Sequence, residues 1–458
     1  MRVSTAQIYD TGIFGLQRNQ SNLLSTHNQL STGKRVINPS DDPVASARAL
    51  VLDQSRSVNS LYLDNQKTAN NNLKLVEGTM SSVNDLLQLV RDRAVAAGNP
   101  SLTEKERTDM ATELESRFQD LVGIANSQDG TGQYLFAGFQ GGNKPFIVNS
   151  AGGVQYQGDD GQIELQVEAS RKIAITDSGN DIFMRIRDGN GNFTVNTGGN
   201  ALNPPSGLNM GTGVIDKGAV TDPSKWNAAG NSGNFTIKFA RDYTANPPTT
   251  TYDIVDNVSG NSLFTGAPPA AAGPLPGGAF IPGQTIKLAG GAFDSGGQVT
   301  ITGQPEDGDS FTVAPSKSNQ DMFQTMRDLI NLLKSPPVQT AGQKMTHSNL
   351  GAAATNYTSE GAGNTEMANK LGAIITNLDQ SLDKVNKVRA SQGARMNELD
   401  SLTTAGQALD VQYQSSISDL VDVDYYDAIS KLSKQSVQLE AAQKSFVQIT
   451  GLGLFKIL

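Results

Sequence analysis

The residue types able to do chemistry are few in this chain and poorly placed for it. Histidine occurs twice, at His27 and His347, far apart in sequence and without a plausible nucleophile beside either, so a Ser/His/Asp centre would have to be assembled from remote segments. Cysteine is absent, which excludes disulfides and thiolate metal sites. Asp159, Asp160 and Glu164 are close enough in sequence to hold a cation or serve a hydrolase, yet Gly-Asp-Asp-Gly is more often a turn. Asp188-Gly189-Asn190-Gly191-Asn192 opens like an EF-hand loop and then fails it. Phe193 stands at the sixth position, where glycine is needed, and Gly199 at the twelfth, where a glutamate should bind. No P-loop or dinucleotide fingerprint occurs. Sequons at Asn192, Asn234 and Asn257 mean little without a secretory signal. The expectation is a protein with no catalytic residues, no cofactor and no metal.

The elements that position these residues say more. The chain has 458 residues, long enough for two or three domains, but only 37% of them are hydrophobic and 6% aromatic, with a single tryptophan, Trp226. That composition is too lean for one large core and suits elongated helical pairs with small β modules. A net charge of −9 and a pI near 4.9 argue against nucleic acid or anionic membrane as the main partner. The N-terminus, MRVSTAQIYDTGIFGLQ, has neither the apolar stretch nor the cleavage site of a signal peptide. No window approaches the ~20 apolar residues of a membrane-spanning helix.

Two weakly apolar end segments frame the chain. Ile13, Leu16, Gln20, Leu23, His27, Leu30 and Lys34 recur at spacings of three and four, which is heptad geometry with one polar seam position. Val421, Tyr425, Ala428, Leu432, Gln435, Leu439, Ala442, Phe446 and Ile449 repeat the pattern near the other end. Pattern alone fits a solvent-exposed amphipathic arm as well as an assembly element. Gly451 and Gly453 end the second segment and leave an apolar tail with Leu454, Phe455, Ile457 and Leu458.

Between the ends lie longer periodic runs. Gly33 with Lys34 and Arg35 suits a helix end, and Asn38-Pro39-Ser40-Asp41-Asp42-Pro43 is a start signal, with Asp42 able to accept first-turn amides and Pro43 at N1. From there Val44, Val51, Val58, Tyr62, Ala69, Val76, Val83, Leu86, Val90 and Ala97 share a seam, so one helix runs to Ala97, roughly 80 Å. Ser101 or Thr103 caps a further helix bearing Ala111, Leu114, Phe118, Leu121 and Ala125. Gln133 to Phe139 reads as strand and turn. Residues 143–320 are rich in strands and turns, with alternation at 162–167, 235–239, 252–255 and 299–301, and with Asp188–Asn192 as a hairpin turn. Met322, Met326, Leu329, Ile330 and Leu333 mark a short helix stopped by Pro336-Pro337. Met367, Leu371, Ile374, Leu378, Leu382, Val385, Val388, Met396, Leu399 and Leu402 mark a long return helix, with Gly393 as its weak point.

The fold class is therefore α + β. A long antiparallel, coiled-coil-like helical rod comes from both chain termini, with an inserted β-rich outer region of one or two small antiparallel modules. The expected divisions are 1–40, a terminal helix pairing with 410–458; 41–142, rod helices with a hairpin; 143–320, the β region; 321–409, return helices; and 410–458.

The Lys34-Arg35 … Pro39-Ser40-Asp41-Asp42-Pro43-Val44-Ala45 run resembles the N-terminal signature of the bacterial flagellin superfamily, in the spelling of its hook–filament junction branch. Arg389-Ala390-Ser391-Gln392-Gly393-Ala394-Arg395-Met396 and the closing Leu452–Leu458 are similar to the same branch. The resemblance covers roughly 1–140 and 365–458. It implies a structural flagellar protein outside the cell, exported unfolded by the flagellar type III apparatus without a cleaved signal. Its implied partners are a neighbouring hook-associated protein, flagellin, copies of itself in a ring, and a cytoplasmic export chaperone. It further implies that Ile13, Leu16, Leu23, Leu30, Leu432, Leu439, Phe446, Ile449, Leu454 and Phe455 form the assembly interface. Lys34, Arg35, Pro39, Asp41, Asp42 and Pro43 would be the hinge and helix start. A filament subunit, and a surface adhesin using the β-rich middle, are the alternatives.

Overall fold

The computed structural model describes residues 5–150, 152–200, 207–269, 273–335 and 362–452. The chain runs through α1 (Thr5–Thr32), α2 (Pro43–Ala97) and α3 (Glu104–Ala125) before its first strands. Then follow β1 (Phe146–Val148), β2 (Val154–Tyr156), β3 (Glu164–Glu168), β4 (Arg171–Ala174), a π-helical turn (Asn180–Met184), β5 (Phe193–Thr197), β6 (Val214–Ile215) and β7 (Ala219–Val220). The short α4 (Pro223–Trp226) leads into β8 (Phe235–Asp242), β9 (Thr249–Asp256), β10 (Thr285–Gly290), β11 (Phe293–Thr302) and β12 (Ser310–Pro315). The helices α5 (Met322–Lys334), α6 (Ala362–Val421) and α7 (Tyr425–Leu452) complete it. Two compact units result. One takes in the described parts of 1–69, 165–172 and 397–458, the other 70–164 and 173–396.

In the first unit α1 lies antiparallel to α7, with Tyr9 against Phe446 at one end (ring centroids 5.3 Å) and Lys34 bridged to Asp422 at the other. The early part of α2 pairs with the late part of α6, and this seam is polar. Arg56 meets Asp410 at 2.9 Å, Asn59 Nδ2 donates to the Gly406 carbonyl at 2.8 Å, and Thr403 donates to Gln66 Oε1 at 3.1 Å. A Cβ on Gly406 would lie 2.9 Å from Leu63, so the glycine permits this close approach. The hairpin tip at 165–172 is held by side-chain amides, Asn65 Nδ2 to Gln166 O and Gln66 Nε2 to Val167 O, both 2.8 Å.

The second unit contains two separate hydrophobic cores. The first gathers the later part of α2, the early part of α6, α3 and α5 around Leu87, Leu114, Phe136, Phe146, Phe183 and Phe323. Arg91–Asp379 (2.6 Å) and Arg389–Glu77 (2.6 Å) flank it. Thr103 caps α3, with Glu106 completing the reciprocal capping box; of the two candidates, it is Thr103 that does so. The second core belongs to a β module of two antiparallel sheets, ordered β5-β12-β8-β9 and β10-β11-β6, with β7 also on β11. Phe193, Ile237, Ile254, Leu288, Ile301 and Phe311 from both sheets share that core, so the strands of 193–315 form one module.

Several expectations are corrected. Residues 133–139 are a run of turns with a single bridge, Gln128↔Tyr134, and not a strand. Their apolar residues Leu135, Phe136 and Ala137 are buried under the helices instead. Phe146, Val154 and Phe183 also join the helical core, so 143–188 packs apart from the module. Asp188–Asn192 is a turn but joins no hairpin: β5 pairs with β12, more than a hundred residues later. Val44, Val51 and Val58 are exposed and Ala45, Ala49, Asn59 and Gln66 face inward, so the seam read from sequence holds only from Ala69 onward. Helix α6 continues through Gly393 and Gly406 to Val421, past the division expected at 410. Pro336-Pro337 lies outside the described residues.

Candidate assembly surface and its joint

The heptad residues of α1 and α7 lie where the helices meet, but nowhere are they fully covered. Ile13, Leu16, Leu23 and Leu30 on α1, and Leu432, Leu439 and Phe446 on α7, are all half-buried. Two helices alone cannot enclose a seam from every side, so each keeps part of its apolar surface in water. The polar seam positions are Asn19 and the buried Thr26, while Gln20 and His27 are exposed. A Cβ at Gly12 would come within 2.7 Å of the Phe446 ring, so glycine sets the helix spacing there. Nothing is described of the Ile449 side chain, and Leu454 and Phe455 lie outside the described residues.

Further large apolar side chains point outward. Phe14 is 71% exposed on α1 and Val437 66% on α7, with Leu24, Ile429 and Val447 similarly open. On α2, Val44, Val51 and Val58 form an exposed stripe at seven-residue spacing, flanked by Leu50 and Leu61. A shallow groove beside it is lined by Ala47, Val51, Leu52 and Leu420. Sequence reasoning placed Val44, Val51 and Val58 on a buried seam, and it missed Phe14, Leu24, Leu50, Leu61, Ile429, Val437 and Val447 because it assigned one seam to each helix. The apolar residues lying off that seam were the available signal.

The helices meet at a double joint. Gly33, at φ +71°, ends α1 in the left-handed conformation. Its carbonyl accepts the Val423 amide at 2.9 Å, while the Arg35 and Val36 amides donate to Val421 O at 2.7 and 3.2 Å. Arg35 then binds both sides, donating to Leu420 O at 2.6 Å and to Asp42 Oδ2 at 3.1 Å. The positive charge thus meets the C-terminal end of α6, where it is favourable. Pro39 sits in the turn closed by Asp41 N to Asn38 O (2.9 Å), and Asp41 Oδ2 accepts the Ile37 and Asn38 amides at 3.1 and 2.8 Å. Asp42 caps α2 by accepting the Ala45 amide at 3.0 Å, with Pro43 at the first helical position. That amide, and then the Arg35 guanidinium, hold the Asp42 carboxyl below its usual range. Across the joint Asp424 caps α7 through the Tyr426 and Asp427 amides. Its position just before Tyr425 was the missed signal for this break.

The residues singled out for chemistry have structural roles. Asp159 accepts the Phe139 and Gly161 amides, and Asp160 binds Asn180, Ser178 and Arg185 (2.7 Å). The Asn180 amide and Arg185 keep Asp160 below the usual carboxylate range. Asp188 Oδ1 accepts the Lys317 amide, and Asn190 Oδ1 the amides of Asn192 and Phe193. Glu164 opens β3 on the surface and His27 is exposed; His347 lies outside the described residues. No cluster of potential metal ligands occurs among the described residues.

Two family models match where the helices lie: the bacterial flagellin N-terminal helical region over residues 3–141 and the bacterial flagellin C-terminal helical region over residues 375–453. The chain belongs to the bacterial flagellin superfamily, as its helical ends and inserted β module also indicate. Within it the likeness is to flagellar hook-associated protein 3. That protein from Escherichia coli is 26% identical over 457 residues, covering 100% of this chain and 99% of its own. Its Salmonella typhimurium counterpart is 36% identical over 186 residues, 41% of this chain and 58% of that one. The crystal structure of the flagellar junction protein FlgL from Legionella pneumophila superposes with a TM-score of 0.64 at 26% identity, over 82% of this chain and 100% of that one. These likenesses support a structural role at the flagellar hook–filament junction over that of the filament subunit.

Proposed function

We propose that this chain joins hook to filament through the outward apolar faces of α1, α7 and early α2, with the double joint at 33–42 and 421–424 setting how the terminal pair is presented. The observation that carries the reading is that Phe14, Val437, Val51 and their neighbours remain in water while the helices bearing them are already paired. Apolar surface of this kind is contact surface, and burying it drives association. The half-buried seam residues Ile13, Leu16, Leu23, Leu30, Leu432, Leu439 and Phe446 tighten when neighbours cover them. Copies of the chain form a ring between a hook-side hook-associated protein and flagellin. The chain reaches that place through the flagellar type III route, after a cytoplasmic chaperone has masked its end segments. No described helix is long and apolar enough to cross a membrane.

The test is a strain lacking the gene. It should build hooks and shed flagellin into the medium instead of retaining filaments, and a normal filament would refute the proposal.

A further inference from the structure

Among the described residues the helical core and the β module of the second unit share no core residue, and polar contacts tie the module to α6. Asn369 Nδ2 donates to Gly213 O at 3.0 Å while its Oδ1 accepts the Ile215 amide at 2.9 Å. Asn377 Oδ1 accepts the Gly189 amide at 2.9 Å, and Glu366 Oε1 accepts the Thr197 hydroxyl at 2.9 Å. Spacings of three and eight put the three residues on one face of α6. They reach three separate segments of the module and its approach.

Glu366 is only 3% exposed, and its Oε2 has no hydrogen-bond partner among the described residues. The nearest ammonium, Lys370, stands 3.6 Å from Oε1. A buried carboxylate so incompletely paired opposes burial. The contact is therefore ordered without being strongly favourable, and water can satisfy each of its groups on separation. The root of the module, in contrast, is narrow and firmly bonded. Asp188 N donates to Lys317 O at 3.0 Å, Lys317 N to Asp188 Oδ1 at 2.6 Å, and Ile186 N to Gln320 O at 3.0 Å.

We propose that Glu366, Asn369 and Asn377 are positioning residues forming a releasable latch, and that the β module is an arm rooted at 186–188 and 317–320 which swings when the latch opens. Two cores with a polar contact between them permit this, because opening exposes no shared apolar core. The device concerns the outer module and does not depend on how the terminal helices assemble.

The test uses the full chain carrying Asn369→Ala with Asn377→Ala, followed by hydrogen exchange and small-angle scattering. Exchange at Gly189 and Ile215 should rise roughly tenfold or more. Phe235, Val313 and α5 should keep wild-type protection, and the scattering should require more than one orientation of the module. Glu366→Gln, which removes the buried charge and keeps the Thr197 contact, should instead slow exchange at Ile215. Loss of protection at Phe235 and Val313 would show that these contacts hold the module's fold, and would overturn the latch. So would wild-type exchange at Gly189 and Ile215, an unchanged scattering profile, or a Glu366→Gln variant that exchanges as fast as the double variant.

Discussion

Replacing Asp321 by asparagine should stabilise the second unit at neutral pH, although Asp321 caps a helix. Its side chain accepts the Gln324 amide at the start of α5, which ordinarily favours an acidic cap. Burial opposes the charge more strongly, and Asp328 adds repulsion, so the carboxyl is pushed up from 3.8 to about 6. Because the pKa is raised on folding, the folded chain holds a proton that the unfolded chain has released. The contribution is fully present below pH 3.8 and is lost as pH rises through about 6. The interval corresponds to about 3 kcal/mol. Asparagine caps about as well as aspartate and carries no charge, so above pH 6 the variant should be more stable by up to that amount. In acid the two proteins should converge. Thermal unfolding followed by circular dichroism across this range measures the difference. If Asp321→Asn is the less stable protein at neutral pH, the cap's hydrogen bond and the helix dipole outweigh desolvation, and the reasoning fails.

Three further outcomes are expected. Gly33→Ala forces a side chain into a left-handed conformation, at a cost of about 1–2 kcal/mol, and places its Cβ 3.0 Å from the Tyr425 hydroxyl. Hydrogen exchange at Arg35 and Val423 should accelerate, and wild-type rates there would contradict the joint described. Asp309→Ala leaves the Met210, Gly211 and Glu306 amides without their buried acceptor and takes one of two acceptors from the Asn200 side chain, which keeps the Asp307 carbonyl. At roughly 1–3 kcal/mol for each orphaned group, the module should unfold at much lower urea, followed by Trp226 fluorescence; unchanged unfolding would refute this. In limited proteolysis, trypsin should cut first at Lys34 or Arg35 and an acid-specific protease at Asp422 or Asp424. Early cleavage at Asp410 would contradict an unbroken α6.

The sequence by itself determined what local chemistry determines. Asp42-Pro43 begins a helix because the aspartate accepts first-turn amides and proline needs no amide partner there. Glycine ends α1 because φ +71° suits it best. The seam from Ala69 to Ala97 was legible because a helix with one apolar face shows its period, and the Arg35–Ala45 run was enough to reveal the superfamily. What covers each face was decided by tertiary structure. Val44, Val51 and Val58 have the same spacing as Val76, Val83 and Val90, yet the first three are exposed and the last three buried, because periodicity records a surface and not its partner. The turn at Asp188 likewise could not announce that β5 would pair with β12, since that choice depends on a shared core assembled from distant strands. Nor could spacing show that Arg35 ties the start of α2 to the end of α6. That contact spans nearly four hundred residues and exists only once the two ends of the chain have come together.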